Sequence, residues 1–337
     1  IFFINVPIAI MITMAALALL RPLEMERVKL PIDAVGLILL VFWVGCLQIM
    51  IDIGREYDWF SDPFVLGLAV CSFIGFLVFI VWELTDHHPV VNLKVFRNRG
   101  FSMGLMALSI CFGTYFASIV IIPQWLQMSM GYTATQAGLV TAFTAMSALT
   151  TSPIAARLIG KVDPRIMVSC AMAWLGLMAL WRAMHWTADA DFWTLSLPQM
   201  VQGFAMPFFI VPLTTITLSA VPPSDVASAA GLQNFLRTMA SAIAASIVLT
   251  LWENAQRVSR TDIVSTMRPE ETLDQLNATG FPDLQAWQVI TNLADQQAVS
   301  IGVNHVFLLS TGALFLAAML VWLTPKPKGP VDQSAAH

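Results

Sequence analysis

The sequence predicts an all-α polytopic membrane protein, and three observations carry that prediction. Hydrophobic residues make up 57% of the 337 and charged ones 11%, with a mean hydropathy of +0.74, where a soluble domain carries about 25% charged side chains. The apolar residues fall in runs of about 20, the length of helix that crosses a hydrocarbon core. The lysines and arginines fall between these runs, mostly between alternate pairs of them. Too little polar surface remains to cover a soluble fold of this size. Composition therefore excludes an ordinary soluble enzyme or a disordered tail, and a net charge of −4 leaves no basic patch for nucleic acid.

Taken in order, the candidate spans are 1–20, 34–51, 63–84, 101–123, 135–155, 166–184, 195–218, 227–251 and 305–323. The first opens without an initiator Met or a basic leader, so it reads as the continuation of a longer chain rather than a signal peptide. Asp33 stands just before the second span, where exposed helix N–H groups favour a carboxylate cap. Most connections are short. The stretch 252–304 is long and polar and is expected to be an extracytoplasmic loop. Within it, Leu284, Trp287, Ile290 and Leu293 recur at roughly helical spacing, which suits an interfacial segment, a partner-docking segment or a self-packed lid.

Orientation follows from the positive charges. One side of the membrane collects Arg21, Arg27, Lys29, Lys94, Arg97, Arg99, Arg157, Lys161, Arg165, Lys326 and Lys328; the short connections of the other hold Arg55, with Arg182 near a helix end. Arg257, Arg260 and Arg268 lie in the long loop, and Arg237 lies inside a span. The rule makes the C-terminus cytoplasmic and places 252–304 outside. No Asp or Glu occupies the middle of any span.

Three spans carry polar groups worth singling out. Arg237 sits ten residues into 227–251, roughly 15 Å along the helix and near the bilayer middle. Asn234, Arg237, Thr238 and Ser241 share one face of that helix, which is either an interhelical hydrogen-bond clamp or the wall of a water-filled cavity. Gln199 and Gln202 lie one turn apart in 195–218; Pro198, Pro207 and Pro212 each remove a backbone donor there and invite a kink, and with Phe208 and Phe209 beside the central one the span suits a gating element or plain packing. In 101–123 and just beyond, Phe116, Pro123 and Gln127 fall on one face, flanked by Tyr115 and Gln124. Aromatics with sparse amides fit an apolar ligand, neutral or partly cationic. Cys46, Cys71, Cys111 and Cys170 are too scattered for a ligand cluster and read as small hydrophobes. His87 and His88 are adjacent and diverge on a helix. No metal-ligand or phosphate-binding pattern is present, so an enzyme reading has nothing to stand on.

Several strings together resemble one family. They are Ile1-Phe2-Phe3-Ile4-Asn5-Val6-Pro7, Ile32-Asp33-Ala34-Val35-Gly36-Leu37, Asp58-Trp59-Phe60, Val81-Trp82-Glu83-Leu84-Thr85-Asp86, Gly131-Tyr132-Thr133-Ala134-Thr135, Pro212-Leu213-Thr214-Thr215-Ile216-Thr217-Leu218-Ser219 and Asn234-Phe235 with Arg237-Thr238. The chain resembles the EmrB-type branch of the EmrB/QacA drug:proton antiporters, fourteen-helix members of the major facilitator superfamily. The resemblance implies that 1–20 is the last helix of a truncated N-terminal bundle. It makes 21–100 a cytoplasmic linker with two inserted helices, 101–325 a complete C-terminal six-helix bundle, and 326–337 a cytoplasmic tail. The superfamily's loop motif pairs an Asp with a following Arg; here Ala156 precedes Arg157, so the copy from Arg157 through Lys161 to Arg165 is degenerate.

The same resemblance implies a multidrug efflux transporter of the bacterial inner membrane. It would be driven by the proton gradient without a cofactor, and would work with a periplasmic membrane-fusion adaptor and an outer-membrane channel. Phe116, Gln127, Gln199, Gln202, Asn234 and Arg237 are the expected cavity wall. The proton-carrying carboxylate is expected on the N-terminal helices that precede residue 1. The rival readings are an exporter of an endogenous lipid, siderophore or metabolite, and a non-transporting scaffold whose polar faces are packed dry.

Overall fold

The computed structural model describes residue 3 and residues 5–20, 33–86, 89–222, 225–266, 269–278 and 282–325. Arg21, Arg27, Lys29, Lys326, Lys328, Arg268, His87–His88 and the expected tail lie outside the described residues. Among the described residues there is no strand. The helices are α1 (Asn5–Leu20), α2 (Ala34–Ile53), α3 (Pro63–Thr85), α4 (Arg99–Ser129), α5 (Ala134–Leu158), α6 (Pro164–His185), α7 (Phe192–Gly203), α8 (Met206–Ser219), α9 (Val226–Thr266), α10 (Pro269–Ala278) and α11 (Asp283–Leu320). With α7 and α8 counted as one broken span, eight are long and apolar enough to cross a membrane. The molecule is a multi-pass helical membrane protein.

Acids and amides in the connections set where helices begin. Asp33 accepts from the Gly36 N–H at 2.9 Å, Asp62 from Phe64 at 2.8 Å with Pro63 in the first turn, and Asn98 from Gly100 at 2.9 Å. Asp163 accepts from Arg165 ahead of α6, and Thr133 and Gln136 form a reciprocal capping box on α5. Each satisfies N–H groups that have no partner within the helix. Asp33 therefore takes the capping role expected of it.

Six spans, α4, α5, α6, α7–α8, α9 and α11, pack into one bundle with α4 central, against α5, α8, α9 and α11. Small residues allow the closest approaches: Gly113 of α4 faces Ala240 and Ala244 of α9, and a Cβ at Gly203 would run into the Thr144 carbonyl of α5. Two apolar cores stack along α4. One is built on Leu108, Cys111, Met172 and Phe209, the other on Ile121, Trp125, Trp186 and Phe307. Between them α4 presents Tyr115 and Ser118. Of the cysteines, only Cys111 is buried; Cys46 is half-buried, Cys71 and Cys170 are exposed, and all four are free.

Helices α2 and α3 form a separate pair, joined by the Ser72 hydroxyl donating to the Trp43 carbonyl at 3.0 Å and by Trp43 against Phe76. They meet α9 through Trp43 against Phe235, Ser246 donating to the Ile51 carbonyl, and Arg55 paired with Glu253 at 3.4 Å. Helix α1 is exposed along nearly its whole length.

Two expectations are corrected here. The stretch 252–304 is helical over most of its length rather than a loop. Helix α9 has 41 residues and α11 has 38, about 60 Å each and twice a hydrocarbon core, so both continue past the bilayer as an antiparallel hairpin. Trp252 donates to the Val299 carbonyl at 3.1 Å, Gly302 lies against the Trp252 ring, and Arg260 pairs with Asp295 at 2.5 Å. The polar composition that suggested a loop belongs to the solvent-facing sides of these helices. Within α11 the buried register is Ala286, Ile290, Ala294 and Ala298, while Leu284, Trp287 and Leu293 are exposed. Of the four large apolar residues only Ile290 is buried, and alanines supply the rest of that face.

The second correction concerns the proline-rich span. Pro198 and Pro212 lie inside uninterrupted helix, and the break falls at Phe204–Ala205, just ahead of Pro207 in the first turn of α8. Pro207 has no N–H to give, and its ring excludes a helical carbonyl four residues back, at Gly203. The chain tightens instead: the Ala205 N–H bonds the Gln202 carbonyl at 3.1 Å. That frees the Val201 carbonyl, which takes the Trp174 indole N–H of α6 at 3.1 Å, the kind of replacement a broken membrane helix requires.

Candidate functional site

The sequence places Arg182 three residues from the end of α6, which is why it read as an interfacial charge. The structure turns it inward. Long helical side chains lean back toward the helix N-terminus, and from this position that direction leads between the two cores. Arg182 is 1% exposed. Its Nη2 donates to Gln199 Oε1 at 3.2 Å and to Gln202 Oε1, both on α7. The guanidinium lies over the rings of Trp186 and Phe307, 5.6 Å from each centroid. Thr144 of α5 donates to the Gln199 carbonyl at 3.1 Å and to its Oε1 at 3.3 Å. Tyr115 and Ser118 of α4 complete a small cleft beside it. Helices α5 and α6 thus converge through polar atoms on Gln199 and Gln202 of α7, with α4 alongside.

A guanidinium stays charged in a protein, and burying an ion without a counter-charge costs several kcal/mol even after relaxation. Among the described residues Arg182 is in no ion pair. Two amide oxygens and two ring faces, each cation–π contact worth about 0.5–2 kcal/mol, offset part of that cost. Sequence reasoning missed this residue. The signal was present in its flanking Trp181 and Trp186 and in the two glutamines one turn apart, whose oxygens need a donor once buried.

Arg237 holds the second cluster. Its Nη2 donates to Asn234 Oδ1 at 2.7 Å, and its guanidinium lies 4.9 Å from the centroid of the Phe112 ring on α4. Asn234 and Thr238 are exposed and Arg237 is half-exposed, while Thr238 and Ser241 donate to carbonyls of their own helix. Phe116, one turn beyond Phe112, is 45% exposed. Phe112 in turn meets Phe209 edge-on at 5.5 Å, just past the helix break.

The expected cavity wall therefore divides. Asn234 and Arg237 are joined to each other, and their aromatic floor leads along α4 to exposed Phe116. Gln127 is exposed and bonds back to the Pro123 carbonyl of its own helix at 3.0 Å. Gln199 and Gln202, at 2% and 5% exposure, are enclosed around Arg182 and do not line an open face in this conformation. Depth along the span could not reveal this, since one helix presents different faces to a cavity and to its neighbours.

At the opposite end, Arg157 in the last turn of α5 and Lys161 on the turn that follows it are exposed, and Gly160 between them takes φ +86. Arg165, in the first turn of α6, is half-buried, and its Nε and one Nη lack a hydrogen-bond partner. An apolar groove of about 410 Å³ runs along the helix break, lined by Leu158, Ile166, Trp174, Phe204 and Phe208 among others. Among the described residues no cluster of three or more His, Cys, Asp or Glu is arranged to hold a metal ion.

Fold and site together define a polytopic membrane protein organised around buried and half-buried polar clusters. The chain belongs to the Major Facilitator Superfamily, whose family model matches residues 1–245. It is 39% identical over 334 residues to the multidrug export protein EmrB of Escherichia coli K12, covering 98% of this chain and 65% of that protein. The EmrB protein of Haemophilus influenzae is 38% identical over 334 residues, with 98% and 66% covered. The fatty acid resistance protein FarB of Neisseria gonorrhoeae is 34% identical over 332 residues, with 97% and 65% covered. The chain spans about 65% of the length of these relatives. The EmrB-type resemblance carried by the sequence strings agrees with them.

Proposed function

We propose that the protein is a multidrug efflux transporter of the bacterial inner membrane, exchanging protons for hydrophobic drugs by alternating access. One observation carries the proposal: a half-exposed arginine, joined to an exposed asparagine and floored by an aromatic ring, on a helix otherwise built for the bilayer. A charge at that depth is tolerated facing a bundle interior or a water-filled cavity. Phe112 and Phe116 supply the apolar surface that a hydrophobic guest needs beside it. The relatives named multidrug export proteins support the same reading.

In this proposal the proton gradient is the energy source. No acid of this chain lies mid-span, so the proton-carrying carboxylate belongs to the part of the relatives that the chain does not cover. The basic connections face the cytoplasm together with the C-terminus. The α9–α11 hairpin then stands on the other side, as the surface for a periplasmic adaptor leading to an outer-membrane channel. The test is Arg237→Ala in the full-length protein: efflux and drug resistance fall while membrane insertion is retained. Unchanged resistance at matched expression would make the Arg237–Asn234 pair a structural clamp and remove the cavity.

A second substrate reading rests on charge. No carboxylate pairs with Arg237 among the described residues, which favours anionic amphiphiles over cationic ones, and one relative is named for fatty acid resistance. Arg237→Gln would then lose protection against long-chain fatty acids more than against cationic dyes; equal losses would reject it.

A further inference from the structure

The geometry points to a binding site for one small monovalent anion, of the size of chloride, beside Arg182 inside the six-span bundle. Arg182 carries a permanent charge and is enclosed by α4, α6, α7 and α11. Its contacts are neutral: two amide oxygens and two ring faces. An acid on another part of the protein does not reach it while the bundle stays closed. The counter-charge is therefore either a residue of this bundle, and Arg182 has no such partner among the described residues, or an ion small enough to lodge with it.

The surrounding atoms favour the ion. Arg182 Nε and Gln199 Nε2 are both buried without a hydrogen-bond partner, and the two groups are already joined through Nη2 and Oε1. The Gln199 amide is not free to turn, because turning would aim its NH2 at a guanidinium. The indole N–H of Trp186, whose ring lies beneath the guanidinium, is also buried and unpaired, as is that of Trp125, stacked on Trp186 at 5.3 Å. Buried N–H donors of Arg182 and Gln199 left unpaired beside a fixed positive charge are the chemistry an anion completes. The cleft lined by Tyr115, Ser118, Arg182 and Gln202 has a volume of about 10 Å³, room for one water-sized guest. That excludes a drug or a phosphate; of the guests that fit, a water or a monatomic ion, only the anion supplies the missing counter-charge.

The experiment compares melting of the full-length protein, purified in detergent, in sodium chloride and in sodium gluconate at equal ionic strength, so that screening is the same. Chloride raises the melting temperature by roughly 2–4 °C or more, saturably, and bromide replaces it. Gln202→Glu places a carboxylate against the guanidinium; this variant loses the chloride effect and melts in gluconate at least as high as the native protein does in chloride. Equal melting of the native protein in both salts overturns the site. So does a chloride effect that survives Gln202→Glu in full, since the ion then lies elsewhere. Should Gln202→Glu not fold, bromide-soaked crystals of the native protein decide it: an anomalous peak within hydrogen-bond reach of Arg182 Nε supports the site, and its absence there overturns it.

Discussion

Arg182 and Gln202 are joined by a hydrogen bond between α6 and α7, and Gln202 is the residue before Gly203, where α7 ends. The clamp thus reaches the last turn ahead of the break. Beyond two residues, α8 starts again, tied to α6 by apolar packing in the core around Met172 and Phe209. Polar contacts at Gln199 and Gln202 thus fix the span ahead of the break, and apolar packing around Phe209 fixes it beyond.

Arg182→Met removes the donor and leaves the Gln199 and Gln202 oxygens buried without it. An unsatisfied buried acceptor costs about 1–3 kcal/mol, and in chloride the bound anion already offsets the cost of the buried charge, so thermal unfolding in detergent and sodium chloride moves to clearly lower temperature. Arg182→Lys retains the charge but loses the planar fork, and melts between the two.

Gly203→Val drives a side chain into the Thr144 carbonyl and Ser147 and separates α5 from α7. Overpacking of this kind costs about 1–3 kcal/mol or more, read as loss of the monodisperse peak in gel filtration. Gly138→Ala, where an added Cβ meets nothing within 4 Å, behaves as native.

Trp174→Phe keeps the ring in the groove and removes the donor to Val201. The expected loss is about 1 kcal/mol, localised at the break. Hydrogen exchange at Phe204 and Ala205 speeds up while exchange in the middle of α4 is unchanged; equal acceleration everywhere would show that the bond supports the whole bundle instead.

The Gly36 N–H, aided by the Trp82 indole, holds the Asp33 carboxyl below the ordinary carboxylate range. A lowered folded-state pKa contributes stability that is present above the ordinary value of about 3.9 and is lost as pH falls through the lowered one. Asp33→Asn keeps a capping oxygen and removes the titration. The difference in melting temperature between native protein and variant therefore shrinks on going from about pH 6 to pH 3.

In the hairpin, Arg260 and Asp295 are 53% and 42% exposed, and an exposed pair is worth about 0–1 kcal/mol. A double-mutant cycle on these two residues gives a coupling within that range, whereas Gly302→Leu, which forces a side chain against Trp252, opens the hairpin. Disulfide trapping between cysteines placed on α9 and α11 measures the opening.

Much of the architecture was legible in the chain itself. Eight of the nine expected spans, the caps at Asp33, Asp62 and Asp163, and the polar face around Arg237 all depend on residues near one another in sequence, and helix periodicity and end effects act over that range; the described part of 1–20 is a shorter apolar helix. The length of α9 and α11 was not legible, because a helix leaving a bilayer becomes polar on its outer faces and then resembles a loop in composition. Nor was the position of the break: Pro207 announces it, but the turn that gives way is set by which carbonyls find new donors, and Val201 finds Trp174 from another helix.

By itself, then, the amino-acid order determined that this chain is a stack of bilayer-crossing helices and where its basic connections lie, since both follow from transfer of local groups between water and lipid. Only the folded bundle decided that Arg182 is interior and Gln199 and Gln202 belong to it, while Arg237 stays half-open on Phe112. A buried charge is placed by the contacts of four helices at once, and their meeting point is a property of packing that no single segment encodes.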